Sequence, residues 1–225
     1  MTRPPGGLGA ARLLAEAGIV PVHADTDLAA VVARVRACFA GGVRAFEFAD
    51  RVPGAVETFA ALRAVVEREM PELALGAGTV TTVEAAEAFV AAGAAFLVGP
   101  VLAADVLAWS VATGTPYVPG VATPTEAWRA HEAGAEVVKL FPAGALGPAY
   151  LRSLLAPLPR LAVMVTGGIE ATPAAVTAWF EAGAVAVGLG SDLLPRKPAT
   201  AARAAEITAS CRALMAAAAA RRSRP

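Results

Sequence analysis

Along the chain, a helix-like stretch gives way repeatedly to a glycine and then to a short apolar run. The unit occurs as CFAGGVRAFEF (Cys38–Phe48), FVAAGAAFLVG (Phe89–Gly99), HEAGAEVVKLF (His131–Phe141) and WFEAGAVAVGLG (Trp179–Gly190), with a looser copy, VATGTPYVPG, at Val111–Gly120. Each glycine suits the left-handed residue that ends a helix, and each is followed at once by a β-type segment. The marks recur roughly every 20–25 residues or at twice that spacing, the repeat of a βα unit. Filling the gaps predicts strands near Ile19–Val22, Arg44–Phe48, Leu73–Gly78, Ala95–Val98, Pro116–Val118, Glu136–Phe141, Leu161–Thr166 and Ala184–Gly188. Alanine-rich helices lie between them, some opened by capping residues, as in Thr81-Thr82-Val83-Glu84 and Thr123-Pro124-Thr125-Glu126.

Eight strands alternating with helices predict an α/β fold, a (β/α)8 TIM barrel. The expected organisation is a single domain over 1–225, with a short N-terminal helix, the barrel over about 19–194 and a C-terminal helix over about 197–220. An open doubly wound sheet is the alternative, but no GxGxxG follows the first strand.

Composition narrows the function classes. Hydrophobic residues make up 56% of the 225, aromatic residues only 6%, so the apolarity comes from Ala, Val and Leu. Formal net charge is zero, and no global field points to nucleic acid or an anionic membrane. The only basic run, Arg221-Arg222-Ser223-Arg224, suits a solvated terminus. MTRPPGGLGAARLL lacks the apolar core of a signal peptide, and the uncharged run Ala88–Ala104 is broken by Gly93 and Gly99-Pro100. A cytoplasmic location is expected. Cys38 and Cys211, far apart in helical contexts, predict free thiols rather than a disulfide or a metal site.

Only two of the 19 basic residues are lysines. Lys197, in Pro195-Arg196-Lys197-Pro198, suits an exposed loop, whereas Lys139 interrupts the apolar strand EVVKLF. Arginine does not readily lose its proton, but a desolvated lysine can, and a neutral amine is a nucleophile. Lys139 is therefore a Schiff-base candidate. It could instead pair with a carboxylate for structure, or reach along the barrel to its rim. Barrel strands point alternate residues inward, so Val137 and Phe141 share its face. In RAFEFADR the inward set is Ala45, Glu47 and Ala49, with Arg51 just past the strand. A glutamate inside a barrel needs a partner or a task, and either one requires Glu47 near Lys139.

Three more stretches fall at strand ends. GAGTV (Gly76–Val80) ends on Thr79 and offers backbone amides for a carboxylate. VTGGIE ends strand seven, and GLGSDLL follows strand eight and is expected to open a short helix. Glycine loops after the last two strands, with a helix N-terminus, form the common phosphate site of such barrels.

With these motifs in order (GGVRAFEFADR, LGAGTV, PGVATPTE, VVKLFPA, VTGGI and GLGSDLLP), the chain from about Ile19 to Leu194 resembles the class I 2-keto-3-deoxy-6-phosphogluconate / 4-hydroxy-2-oxoglutarate aldolase family. The resemblance implies Lys139 as the Schiff base and Glu47 as the proton shuttle. It implies that Arg51 and Thr79 hold the substrate carboxylate and that Phe141 and Pro100 line the pyruvate pocket, while Thr166, Gly167, Gly168, Gly190 and Ser191 receive the distal phosphate or polar tail. It further implies a trimer acting on a small-molecule 2-oxo acid, with no metal and no cofactor. The chain departs from the family at Ala49, where threonine is common, at Gly99-Pro100-Val101 in place of Ser-Pro-Gly, and at Val165 in place of proline.

The expected reaction is cleavage of a 2-keto-3-deoxy-6-phospho sugar acid, or of 4-hydroxy-2-oxoglutarate, to pyruvate and an aldehyde. An epimerase or phosphate-ester synthase on the same barrel would share the glycine loops without needing a nucleophilic lysine. A non-catalytic sugar-phosphate binder would leave Lys139 and Glu47 only to pair. His23 suits a rim position rather than a ligand, His131 an exposed helix, and Trp109, Trp128 and Trp179 the helical layer or a subunit contact.

Overall fold

The computed structural model describes residues 9–195 and 200–220. Lys197, the terminal arginine run and the expected first turn of the C-terminal helix lie outside the described residues. The strands are β1 (Ile19–His23), β2 (Ala45–Ala49), β3 (Ala74–Gly78), β4 (Leu97–Val98), β5 (Tyr117–Val118), β6 (Gly120–Val121), β7 (Val138–Leu140), β8 (Val163–Thr166) and β9 (Ala186–Leu189). They pair in parallel in the order β5-β4-β3-β2-β1-β9-β8-β7-β6.

The two ends of that order are halves of one strand. Pro119, between β5 and β6, has no N–H to continue a ladder, but its carbonyl accepts from the Lys139 N–H at 2.8 Å. β5 pairs β4 and β6 pairs β7, so the split fifth strand closes the barrel. The eight-strand expectation holds and the open-sheet alternative falls. The fifth strand extends past the expected Pro116–Val118 to Val121.

Helices α1 (Ala10–Ala17), α2 (Leu28–Ala40), α3 (Ala55–Glu69), α4 (Val83–Ala91), α5 (Ala104–Thr113), α6 (Pro124–Glu132), α7 (Ala143–Leu155), α8 (Pro173–Glu181) and α9 (Ala201–Ala220) alternate with the strands. Several start where the sequence supplies a side-chain acceptor for orphan amides: Asp27 for α2, Thr82 for α4 and Thr172 for α8. At α6, Thr123 and Glu126 form a reciprocal capping box ahead of Pro124. The repeat glycines lie just past helix ends in the left-handed region, as at Gly93 (φ 90°) and Gly183 (φ 105°).

Period-two alternation divides the barrel's side chains. Ile19, Phe46, Phe48, Leu75, Leu97, Val138, Leu140, Val163, Val165 and Val187 face the helices in the larger core. Val20, Ala45, Phe96, Val98, Val118, Val137, Met164 and Ala186 fill the interior, where Ala10, Leu14 and Ala17 of α1 close the N-terminal end. The apolar packing therefore occupies the lower barrel and leaves polar residues to its C-terminal half. No helix among the described residues is long and apolar enough to cross a membrane.

One expectation is corrected here. GLGSDLL opens no helix: Gly190 carbonyl accepts from Leu193 (3.1 Å) and Leu194 (2.9 Å) N–H groups, forming a turn that uses those amides internally. Cys38 and Cys211 are free, as expected; both are buried, and α2 and α9 bring them side by side. Their hydrogen bond, followed by burial, pushes the Cys38 thiol up.

Candidate active site

Glu47 is the central residue of β2 and Lys139 that of β7; both point into the barrel, 0% and 1% exposed. They approach across the interior, Lys139 Nζ lying 3.8 Å from Glu47 Oε1. That distance exceeds a hydrogen bond, and neither carboxylate oxygen has a hydrogen-bond partner among the described residues. A buried pair kept only for structure is stable when short and fully hydrogen-bonded. This pair is neither, and its unsatisfied oxygens face the same interior as the lysine.

Glycines make the room. A Cβ on Gly78 would overlap Glu47 Oε1, and one on Gly76 would overlap the Phe96 ring. Two amides of this stretch are already used within the fold. Ala77 and Val80 N–H groups donate to Phe96 and Val98 carbonyls at 3.0 and 3.1 Å, and the glycines serve as space for the glutamate.

Thr79 follows β3 with φ 66°, a left-handed conformation uncommon for a residue with a branched Cβ. It is held there with its Oγ1 accepting from Arg51 Nε at 2.9 Å. Arg51 is exposed past the end of β2, so its remaining guanidinium donors face the barrel mouth's solvent. Pro100, in the loop after β4, packs so closely on β6 that a Cβ on Gly120 would overlap its carbonyl.

Phe141 follows β7, its ring centroid 5.2 Å from Lys139 Nζ. On its other side the ring abuts Gly167, where a Cβ would sit 2.8 Å from a ring carbon. Thr166 ends β8 buried, its hydroxyl without a partner among the described residues, and Gly188 opposite leaves it space. Gly167 carbonyl accepts from Gly144 N–H at 2.7 Å, while Gly168 is exposed. Gly190 and Ser191 begin the turn after β9.

The structure thus brings Lys139, Glu47 and Phe141 into contact range and pairs Arg51 with Thr79. The other expected site residues sit at or just past the C-terminal ends of the strands, above Glu47 and Lys139 at mid-strand. His23 lies on the outer face of β1, 3.7 Å from Asp25 Oδ2. Burial alone would push the Asp25 carboxyl up, but the Asp27 N–H and neighbouring His23 and Arg34 outweigh it and hold it low. Sequence reasoning missed Asp192, whose carboxylate accepts from Ala171 N–H at 2.5 Å and ties the last two strand-end loops together. It also missed Tyr117, considered below. The one signal for Asp192 was its place in a glycine-serine turn; its acceptor role depends on a residue 21 positions away.

Fold and site together define a (β/α)8 barrel with a buried lysine–glutamate pair under a polar, glycine-rich mouth. Residues 11–210 match the family model for KDPG and KHG aldolase, where KDPG is 2-keto-3-deoxy-6-phosphogluconate. The chain belongs to that aldolase family, whose reaction class is the lyases. A 2-dehydro-3-deoxy-phosphogluconate aldolase of Treponema pallidum is 40% identical over 153 residues, 68% of this chain and 71% of that protein. A 2-dehydro-3-deoxy-6-phosphogalactonate aldolase of Escherichia coli is 40% identical over 131 residues, 58% of this chain; the match spans 63% of that relative's length. Among solved structures, a KDPG aldolase of Legionella pneumophila, with pyruvate captured at low pH as a covalent carbinolamine, has a TM-score of 0.81. It is 27% identical, with 92% of this chain and 98% of that one covered.

Proposed function

We propose that the protein is a Schiff-base aldolase that cleaves a 2-oxo acid bearing a C4 hydroxyl to pyruvate and an aldehyde. The observation that carries this reading is the Lys139–Glu47 pair, 3.8 Å apart, buried and unsatisfied at the carboxylate. The relatives' names, 2-dehydro-3-deoxy-phosphogluconate and phosphogalactonate aldolase, and the pyruvate carbinolamine captured in the Legionella enzyme support it.

The unprotonated Lys139 amine attacks the C2 ketone to give a carbinolamine, which loses water to form a protonated imine. Glu47, directly or through a water, takes the proton of the C4 hydroxyl. The C3–C4 bond breaks, its electron pair moves into the imine to give an enamine, and C4 leaves as the aldehyde. Glu47 returns a proton to C3, and water hydrolyses the imine, releasing pyruvate and the free lysine. The Arg51 guanidinium and Thr79 hydroxyl hold the substrate carboxylate, and Phe141 and Pro100 form the walls around the pyruvyl group. Thr166, Gly167, Gly168, Gly190 and Ser191 receive the distal polar or phosphorylated end. The substrate is a KDPG-like phospho sugar acid or 4-hydroxy-2-oxoglutarate, the working form a single-domain subunit of a cytoplasmic homotrimer.

Borohydride reduction in the presence of pyruvate should fix one pyruvyl adduct on Lys139, read by peptide mass, and Lys139→Arg should remove both adduct and turnover. Intact activity in that variant overturns the reading. A panel of 4-hydroxy-2-oxo acids with and without a terminal phosphate, assayed by pyruvate release, identifies the substrate.

A further inference from the structure

Tyr117 is the bulkiest polar residue of the split fifth strand, yet it is not in the pocket. Val118 beside it fills the barrel interior, and Tyr117 points the other way, into the helix-facing core, 3% exposed. A phenol there needs partners for its hydroxyl. It finds them at the C-terminal rim, in the loops that carry Thr79 and Pro100.

The hydroxyl donates to the Val80 carbonyl at 3.4 Å. On its other side it meets the Ala103 backbone N–H, which also donates to Val101 carbonyl at 3.1 Å. Against the same oxygen lies Gly99, where a Cβ would overlap the Tyr117 hydroxyl. The loop after β3 and the loop after β4 are thus stitched through one buried oxygen, and Gly99 is the residue that admits it. Burial raises the phenol to about 12, so it remains a donor through the neutral range.

The stitch matters because of what it borders. Val80 directly follows Thr79, which is held at φ 66° with its hydroxyl on Arg51. A residue in a sparsely populated conformation persists only where its surroundings over-determine it. Val80 supplies that restraint with both backbone groups, its N–H to Val98 and its carbonyl to Tyr117. Without the phenol, the carbonyl loses its partner and Thr79 is free to turn toward extended backbone, taking its Oγ1 from Arg51.

We propose that Tyr117 is a positioning residue for recognition of the substrate carboxylate, acting from outside the barrel by locking the Thr79 and Pro100 loops together. The inference rests on the reading that Arg51 and Thr79 bind that carboxylate and Lys139 the ketone.

Tyr117→Phe keeps the ring and removes the hydroxyl. In the full chain, the pyruvate concentration giving half-maximal borohydride trapping at Lys139 should rise about fivefold, the loss expected for one net hydrogen bond. Trapping of acetone, a ketone without a carboxylate, should be unchanged, and kcat on a full substrate should shift less than KM. Gly99→Ala, which crowds the hydroxyl without removing it, should reproduce the pyruvate defect, and the double variant should be no worse than Tyr117→Phe alone. An unchanged half-saturation for pyruvate, or equal losses for pyruvate and acetone, overturns the positioning role. Absence of any adduct in the unaltered protein instead overturns the Schiff-base reading on which it rests.

Discussion

Gly78 makes room for the Lys139–Glu47 pair by having no side chain. It lies in a regular strand opposite Ala49, with ordinary extended geometry, so alanine there would meet no backbone strain. What alanine would meet is the Glu47 carboxylate, pushed from its place by the new methyl. Gly78→Ala is therefore expected to lower kcat by about 10²-fold, the order contributed by a positioned acid–base group. It should destabilise the fold by only about 1–3 kcal/mol, as for overpacking. Turnover assays beside urea unfolding check this, and a variant with normal kcat would show that Glu47 need not sit where it does. The lysine was legible in the sequence because charge inside an apolar run is visible locally, and Glu47 by strand alternation. The work of Gly78, Gly188 and Gly99 was not legible. Each is small because of a side chain on a different strand, and no local pattern records which one.

At the scale of elements, the helix starts carry a measurable share of stability. Thr123 accepts from the Glu126 N–H, while Glu126 accepts from Ala122 and Thr123 N–H groups at 2.9 and 2.8 Å. Thr123→Ala should cost about 1 kcal/mol by urea denaturation. The Ala122 backbone bond, then the Thr123 hydroxyl, hold the Glu126 carboxyl below its ordinary 4.5. A carboxyl depressed in the folded state binds its proton more readily when unfolded, so its stabilisation is complete above about pH 4.5. It disappears as pH falls through the lower folded value. The urea midpoints of the unaltered protein and Glu126→Gln should differ at pH 7 and converge toward pH 3; a gap independent of pH would exclude this source. These caps and the glycine spacing made seven of the eight strands recoverable within a few residues. Pro119 hides the continuation of the fifth, and Ser191-Asp192 after β9 resembles a helix cap yet forms a turn. Asp192 instead reaches across to Ala171.

In the whole molecule the two ends of the barrel are built for different purposes, and α1 maintains the difference. Its Leu14 is fully buried beneath the interior layer of Val20, Val137 and Met164, closing the end opposite the site. The same layer lies directly below Lys139 on β7, where Val137 is its inward neighbour one alternation earlier. Leu14→Ala removes apolar contacts and leaves a cavity at the closed end, so stability should fall by about 2–5 kcal/mol. The C-terminal half of the barrel, with Glu47, Lys139 and Thr79, is braced by its own ladder bonds and by the loops above, not by α1. The folded variant is therefore expected to keep kcat and pyruvate affinity within about twofold while unfolding at lower urea, since interiors close-packed as layers confine the loss to the layer that was cut. Comparing turnover per folded molecule with the unfolding midpoint decides it. If kcat fell in step with stability, the lower barrel would be part of the catalytic apparatus and α1 more than its floor.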